Sequence, residues 1–139
     1  DSANVNSCYR RSESVVPQQA LALANSSLCL EQARLLAKSL TDGSDRTSSL
    51  SQANGTGANA DFVCAAFDRV LGRSPTAEEQ AACEGYLITQ ASRLSDRSRL
   101  TPFAAGPAAS VLPAADPAQR AREDLVHVLL NHNDFVTIR

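Results

Sequence analysis

The sequence contains no tryptophan, no methionine and only a few aromatic residues. Aromatic rings supply much of the contact area at binding surfaces, so their scarcity argues against direct carbohydrate binding by this chain. The formal net charge of −2 is small and both signs are mixed along the chain. This argues against nucleic-acid binding, because nucleic-acid-binding proteins carry a basic face. No stretch approaches the roughly 18 apolar residues of a membrane-spanning helix, so we expect no membrane span.

Residue sets that perform chemistry are also missing. The two histidines, His127 and His132, are five residues apart and would lie on different sides of a helix, which is a poor arrangement for one metal ion. The cysteines form no Cys-x-x-Cys pair, which argues against a zinc knuckle. The acidic pairs at 78–79 and 123–124 are interpreted as residues of first helical turns, where the helix dipole favours negative charge. We therefore predict no catalytic residues, no metal and no cofactor in this domain.

The residues that are present favour helices throughout. The chain is rich in Ala, Leu, Ser and Gln, β-branched residues are scarce, and no stretch alternates as a strand does. A chain of 139 residues is long enough to fold as one domain without a metal or disulfide staple. We predict an all-α fold: a single-domain helical bundle of about five helices, residues 1–139, with a central αα-hairpin.

The predicted hairpin covers residues 59–98. Its first helix begins near Asn59 or Asp61, and Gly72 ends it with a left-handed residue. Thr76 and Glu79 have the spacing of a capping box, which starts the second helix. The first helix has one apolar stripe, formed by Phe62, Val63, Ala66, Phe67, Val70 and Leu71. The second helix has another, formed by Cys83, Tyr86, Leu87, Ala91 and Leu94.

Four cysteines indicate a compartment in which disulfides form. Cys64 and Cys83 lie at similar heights above the hairpin turn, so a cross-hairpin disulfide is one interpretation. The alternative is two buried free thiols, because cysteine packs well as a small apolar residue. The pairing of these two with Cys8 and Cys29 stays open, since sequence does not determine disulfide connectivity.

Before the hairpin, residues 1–16 are polar and irregular. Pro17 favours a short helix over 18–24, and a second helix is predicted over 27–40, with Glu31 and Arg34 as a pair on its outer face. The apolar stripe of that second helix is predicted to contain Leu28, Leu35 and Leu36, with Cys29, Ala33 and Leu40 alongside. Residues 41–58 have almost nothing to bury and are predicted to form a polar flexible loop.

After the hairpin, the Pro/Ala-rich residues 99–116 are predicted to form a crossing segment pinned by Phe103, Val111 and Leu112. Asp116 as N-cap and Pro117 at the first helical position then start a last helix that runs to about Asn131. The inner face of this helix is predicted to consist of Ala121, Leu125, Val128 and Leu129.

A candidate interaction surface lies in the polar residues near the two ends of the chain. The adjacent arginines could meet a carboxylate or phosphate, or they could simply be solvated. The surface consists of Arg10, Arg11, Gln18, Gln19, Asn131, His132 and Asn133.

Four stretches together resemble the Planctomycete PSD family of unknown function (domain of unknown function 1553). They are residues 16–26, 30–34, 71–79 and 125–135, in the family's order. The resemblance implies a module at the C-terminus of a larger exported planctomycete protein, often with a cytochrome-c-type haem domain upstream. It implies no catalytic residues. The haem-attachment motif Cys-x-x-Cys-His is absent, so we expect no covalent haem on this segment.

Two functional hypotheses follow. The first is a non-enzymatic helical interaction module that docks on the upstream domains of its parent protein or on another cell-surface protein. The alternative is an accessory domain that completes a redox or polysaccharide-processing enzyme whose main site lies upstream, with His132 or Arg11 entering a shared cleft. Both imply export, with the protein periplasmic or cell-surface associated. The chain begins with Asp1 rather than Met, so we expect a processed chain or a segment excised from a longer one.

Overall fold

Four α-helices and no strand are present in the described residues of this computed structural model, which are 26–47, 56–100 and 110–132. The helices are α1 (Ser27–Thr47), α2 (Thr56–Leu71), α3 (Ala77–Ser95) and α4 (Pro117–Leu130), with a short 3-10 turn at Arg97–Arg99. The predicted all-α class is confirmed. The short helix predicted over 18–24 lies outside the described residues. None of the described helices combines the length and apolarity needed to cross a membrane.

The last helix, α4, is the most extensively packed helix of the bundle. Helix α4 contacts each of the other three helices and packs most extensively against α3 and α1. The predicted αα-hairpin is present as well, because α2 and α3 pack on each other across the turn. A helix can contact three neighbours only if its apolar face is wide. Helix α4 meets this condition because adjacent residues Leu125 and Val126 are both buried, together with Ala121 and Leu129.

The hydrophobic core lies where the four helices meet. Phe62, Val63 and Val126 are its largest fully buried side chains. Small residues are buried in the same core, among them Ala33, Ala37 and Ala66. Burying an apolar side chain of the size of Val or Phe contributes about 1.5 to 3 kcal/mol, so these residues carry much of the stability of the fold.

The hairpin turn has the predicted local geometry. Gly72 has a φ of 66°, the left-handed conformation that glycine adopts with little strain. The Thr76 hydroxyl accepts a hydrogen bond from the Glu79 N–H at 3.2 Å, and the Glu79 carboxylate accepts from the Thr76 N–H at 2.8 Å. The predicted capping box is therefore confirmed. Both predicted apolar stripes of the hairpin are buried or partly buried against the core.

An arginine that the sequence analysis did not single out completes this turn. Both terminal nitrogens of Arg73 donate to the two carboxylate oxygens of Glu79 at 2.8 Å. The same guanidinium lies 5.4 Å from the centre of the Phe67 ring, within cation–π range. Glu79 thus ties the start of α3 to the turn, and Arg73 covers the end of α2.

Replacing Glu79→Gln is expected to destabilise the protein at neutral pH, with a loss that disappears in acid. The hydrogen bonds from Arg73, and next the Thr76 N–H, lower the pKa of Glu79 from 4.5 to about 2. A carboxylate whose pKa is lowered by folding stabilises the folded state above its unfolded pKa, and loses that contribution as the pH falls through its folded pKa. Gln still completes a capping box, so the variant isolates the ion pair.

Urea unfolding of both proteins between neutral pH and pH 2 measures this difference, which should shrink from pH 4.5 downward. Glu78→Gln, an exposed neighbour in the same helical turn, is the matched control. A destabilisation of Glu79→Gln that stays constant down to pH 2 would contradict the assignment of the ion pair.

The prediction of a polar loop over 41–58 is wrong at both ends of that range, which are helical. Helix α1 continues to Thr47, and α2 begins at Thr56 rather than at Asn59 or Asp61. Residues 48–55 of that loop lie outside the described residues. A tertiary contact supports α1 where this extension begins: the Thr41 hydroxyl lies 2.9 Å from Gln119 Oε1 of α4, and tertiary packing stabilises helices beyond what propensity alone gives.

The buried face of α1 also differs from the prediction. Leu28 and Leu35 are 65% and 48% exposed, whereas Cys29, Ala33 and Ala37 are buried. Small side chains let the backbones of α1 and α4 approach closely, and this selects the alanine face over the leucine face. Two further residues predicted to be inner, Val128 of α4 and Leu112 of the crossing segment, are likewise exposed. Val126 takes the buried position on α4 instead.

Candidate functional site: a charged cleft between α1 and α4

Helices α1 and α4 run antiparallel and enclose a small charged cleft. The Asn131 side chain hydrogen-bonds the Cys29 thiol at one end, and Thr41 contacts Gln119 at the other. The cleft between these ends has a volume of about 60 Å³. It is lined by Leu30, Ala33, Arg34, Pro113, Arg120, Glu123, Asp124 and His127.

Glu123 is the buried acid of this cleft, with only 8% of the residue exposed. Both of its carboxylate oxygens lie 3.2 Å from the Ala114 backbone nitrogen, which donates to them. Burial raises the pKa of Glu123 above its ordinary value, and the Ala114 N–H and the charges of Arg34 and Arg120 offset this only in part. The interpretation of Glu123 as a first-turn residue is wrong, because α4 begins at Pro117 and Glu123 lies in its second turn.

Two α1 side chains hold the same crossing segment. Glu31 accepts from the Ser110 N–H at 2.9 Å, and the Arg34 guanidinium donates to the Val111 carbonyl. Hydrogen bonds from Ser110 lower the pKa of Glu31. Glu31 and Arg34 were predicted to form a pair on an outer face; instead, both are attached to the backbone at 110–111.

Charged side chains in and beside the cleft therefore bind the chain's own backbone. Helix α1 holds residues 110 and 111, and Glu123 of α4 holds residue 114. Asp124, at the edge of the cleft, accepts from Gln90 of α3 at 3.0 Å. Within the described part of the chain, no group of three or more His, Cys, Asp or Glu residues is arranged to hold a metal ion. The charged groups of the cleft stabilise the crossing segment rather than forming an open reaction site.

A second polar cluster joins α1, α2 and α4 beside the core. The Arg122 guanidinium donates to the Thr41 hydroxyl at 3.3 Å and to the Asn59 side-chain oxygen at 3.4 Å. It also lies 5.1 Å from the centre of the Phe62 ring. This arginine links three helices at once, and nothing in its local sequence distinguishes it from a solvated surface residue.

Only part of the predicted interaction surface falls in the described residues. Asn131 and His132 lie half-buried at the end of α4. The Asn131 side chain donates to the His127 carbonyl at 2.8 Å, and the His132 N–H donates to the Leu129 carbonyl at 3.0 Å. These contacts end the helix. The rest of the predicted surface lies outside the described residues: Arg10, Arg11, Gln18, Gln19 and Asn133.

The described cysteines are free thiols. Cys29 is buried, Cys64 is exposed and Cys83 is half-buried. Burial raises the pKa of the Cys29 and Cys83 thiols, which disfavours the reactive thiolate. No disulfide joins Cys64 and Cys83 in this structure, and their pairing under oxidising conditions stays a prediction. Cys8 lies outside the described residues.

The burial of Glu123 was not predicted from the sequence. The spacing of residues along α4 could have indicated it. Residues 119, 123, 126 and 130 lie on one side of a helix, four, three and four residues apart. Val126 is fully buried on that side, and Leu130 packs against the core. A carboxylate between Gln119 and Val126 on this stripe is therefore expected to face α1.

These features define an all-helical domain built on its last helix, with a charged cleft that binds its own crossing segment. The model of the family PSD1, "Protein of unknown function (DUF1553)", matches residues 1–87, so the chain belongs to this family. The match ends within α3, so the resembling stretch over 125–135 lies beyond it. A search of curated proteins and a search of solved structures each found no match.

Proposed function

We propose that this domain is a non-enzymatic helical interaction module that docks on other domains of a larger exported protein. The observation that carries the proposal is the outward-facing leucine pair of α1. Leu28 and Leu35 are seven residues apart, which places them on one face of the helix, two turns from each other. They are 65% and 48% exposed. Two large apolar side chains aligned in this way mark a face on which another surface can pack.

This leucine face begins at the end of the bundle where Asn131 and His132 of the predicted interaction surface lie. The hydrogen bond between Cys29 and Asn131 brings the start of α1 beside the end of α4. Leu28 therefore lies near Asn131 and His132, and Val128, one turn before Asn131, is exposed as well. Apolar side chains beside polar groups at a helix end have the composition of an interface, in which an apolar centre is surrounded by a polar rim.

The chemistry of the cleft supports a binding role over a catalytic one. Its buried carboxylate, Glu123, is occupied by the Ala114 N–H, and Arg34 by the Val111 carbonyl. The cleft volume of about 60 Å³ is far below the roughly 300 Å³ of the smallest ordinary ligand pockets. These two charged groups of the cleft are thus engaged in holding the domain's own fold.

Export and a larger parent protein belong to the same proposal. The resemblance of this chain to the Planctomycete PSD family supports a planctomycete source and an upstream cytochrome-c-type haem domain. A partner of this kind, covalently linked in one chain, needs only a modest interface, because linkage raises its effective concentration. An exposed pair of leucines suits such a contact.

The double substitution Leu28→Asp and Leu35→Asp is expected to weaken docking by about tenfold or more. Each leucine would bury its exposed part on docking, and an aspartate would instead have to lose its hydration. The measurement is a calorimetric titration of the 139-residue chain with the remaining part of its natural protein. Circular dichroism of the free variant checks that it has folded.

Ile88→Asp is the matched control, because Ile88 is 61% exposed on α3 and receives the same chemical change. It should bind like the unmodified chain. The proposal fails if the unmodified chain does not bind, or if Ile88→Asp weakens binding as much as the double variant does.

The alternative, an accessory domain of an upstream enzyme, has one observation in its favour. Glu123 is a carboxylate with a raised pKa in a cleft, which is a common feature of catalytic acids. However, a residue with 8% exposure and both oxygens hydrogen-bonded to Ala114 cannot contact a substrate without release of the crossing segment. The interaction module is therefore the better supported proposal.

A further inference from the structure

Three arginines occupy seven residues at the end of α3. Arg93 lies in the last turn of the helix, and Arg97 and Arg99 belong to the 3-10 turn that follows it. All three are exposed. Arg93 and Arg99 line one surface groove of about 590 Å³, together with Ser92, Asp96 and Leu100. We call this surface the arginine groove.

The positive charge of the arginine groove is not neutralised from within. Asp96, the acid among the described residues of its lining, accepts hydrogen bonds from the Ser98 N–H at 3.2 Å and the Ser98 hydroxyl at 2.5 Å. The described part of the chain contains the ion pair Arg73–Glu79, which lies at the opposite, N-terminal end of α3. Three guanidinium groups therefore face solvent without a carboxylate partner in the described residues, on a chain whose net charge is −2.

The backbone that carries these arginines is anchored. The Arg99 N–H donates to the Asp96 carbonyl at 3.2 Å, and the Leu100 N–H donates to the Arg97 carbonyl at 3.3 Å. Leu100 packs against the hydrophobic core. The arginines thus project from a fixed turn rather than from a free chain, which reduces the entropy lost when a ligand binds.

The helix dipole explains only one of the three. A cation in the last turn of a helix is favoured by the partial negative charge there, and Arg93 meets this description. The effect falls off within that turn, and Arg97 and Arg99 lie beyond the C-cap residue Asp96. The helix dipole therefore does not account for the positions of Arg97 and Arg99.

We propose that the arginine groove binds an acidic polypeptide segment, one that carries several Asp or Glu carboxylates. The planar guanidinium fork pairs with a carboxylate through two parallel hydrogen bonds, and a groove lined by two arginines can pair with two carboxylates of one extended chain. Among the described residues of the lining there is no aromatic side chain on which a sugar or a base could stack, and the apolar one is Leu100. Peptide carboxylates fit this chemistry better than a polysaccharide or a nucleic acid does.

This site goes beyond the proposed docking through the leucine face and does not depend on it. It names the chemistry of a partner segment, and it is tested with the 139-residue chain alone. The variant Leu28→Asp with Leu35→Asp should therefore bind an acidic peptide as the unmodified chain does. Failure of the leucine interface and failure of the arginine groove are distinguishable.

The experiment is a fluorescence-anisotropy titration of a labelled hexaglutamate peptide at about 50 mM salt, where screening is modest. The double variant Arg93→Gln with Arg99→Gln is expected to bind about tenfold more weakly, a loss typical of two exposed charge pairs. The double variant Arg93→Lys with Arg99→Lys keeps the charge but not the guanidinium fork. Its affinity for hexaglutamate should lie between that of the unmodified chain and that of the double Gln variant. Added salt should weaken binding by the unmodified chain.

Arg69→Gln, an exposed arginine in the last turn of α2, is the matched control for the change of charge. It should bind like the unmodified chain. The proposal is overturned if hexaglutamate does not bind, or if Arg69→Gln weakens binding as much as the double variant does. It is also overturned if heparin, a sulfated polysaccharide, binds through these arginines while hexaglutamate does not.

Discussion

Replacing Phe62→Ala is expected to lower the free energy of unfolding by about 3 to 5 kcal/mol, the usual cost of removing a buried aromatic ring. Phe62 is fully buried in α2, and its ring also lies 5.1 Å from the Arg122 guanidinium. The substitution therefore leaves a cavity and removes the apolar support of the arginine that links α1, α2 and α4. Since domains of this size are stable by about 5 to 15 kcal/mol, the variant is expected to lose a large share of its stability.

Urea unfolding followed by circular dichroism measures the loss. Phe62→Leu keeps most of the apolar volume and should lose less, whereas Ile88→Ala, at an exposed position, should change stability by no more than about 0.5 kcal/mol. A Phe62→Ala variant as stable as Ile88→Ala would show that the core is not arranged as described.

Two substitutions of Glu123 are expected to have opposite effects at neutral pH. Glu123→Ala should lower the free energy of unfolding by about 1 to 3 kcal/mol, because the Ala114 N–H is left without its acceptor. Glu123→Gln keeps an oxygen for that N–H and removes a charge that is costly to bury. It should therefore raise the stability of the protein.

The dependence on pH follows from the direction of the shift. Folding raises the pKa of Glu123, chiefly through burial, so the folded state binds the proton more tightly than the unfolded state does. The contribution of this group is thus fully favourable below its unfolded pKa and is lost as the pH rises through its folded pKa. Arg34 on α1 and Arg120, Asp124 and His127 on α4 line the same cleft and are present in every variant.

The stability advantage of Glu123→Gln should therefore be largest at neutral pH, decline as the pH falls through the raised folded pKa of Glu123, and be lost below the ordinary glutamate pKa of 4.5. Urea unfolding across this pH range measures it, with Glu78→Gln as the exposed control. If Glu123→Gln is destabilising at neutral pH and its effect does not change with pH, the carboxylate is not the buried, hydrogen-bonded group described here.

The parts of the fold that sequence predicted correctly depend on neighbours within a few residues. Gly72, the Thr76–Glu79 capping box and the Asp116–Pro117 helix start are of this kind, and each appears where it was predicted. Their hydrogen bonds span three or four positions, so the chain contains both partners in one short stretch. The amphipathic stripes of α2 and α3 were readable for a related reason, because each helix has one clear apolar face.

The candidate site could not be predicted in the same way. The contact between Arg34 and Val111 joins residues 77 positions apart, and that between Glu31 and Ser110 joins residues 79 positions apart. In the sequence, Glu31 and Arg34 have the spacing of an ordinary surface pair. Only the docking of the crossing segment beside α1 supplies the backbone groups that they bind, and no local pattern records that docking.

The sequence by itself determined that this protein is helical, where the hairpin turns and where the last helix begins, because backbone propensity and capping are local properties. The tertiary structure decided that α4 is the most extensively packed helix, that the alanine face of α1 is buried while Leu28 and Leu35 face outward, and that Glu123 is buried. These outcomes depend on how closely two helices approach each other. That distance is set by the packing of all four helices together, and so it emerges only when the chain is folded.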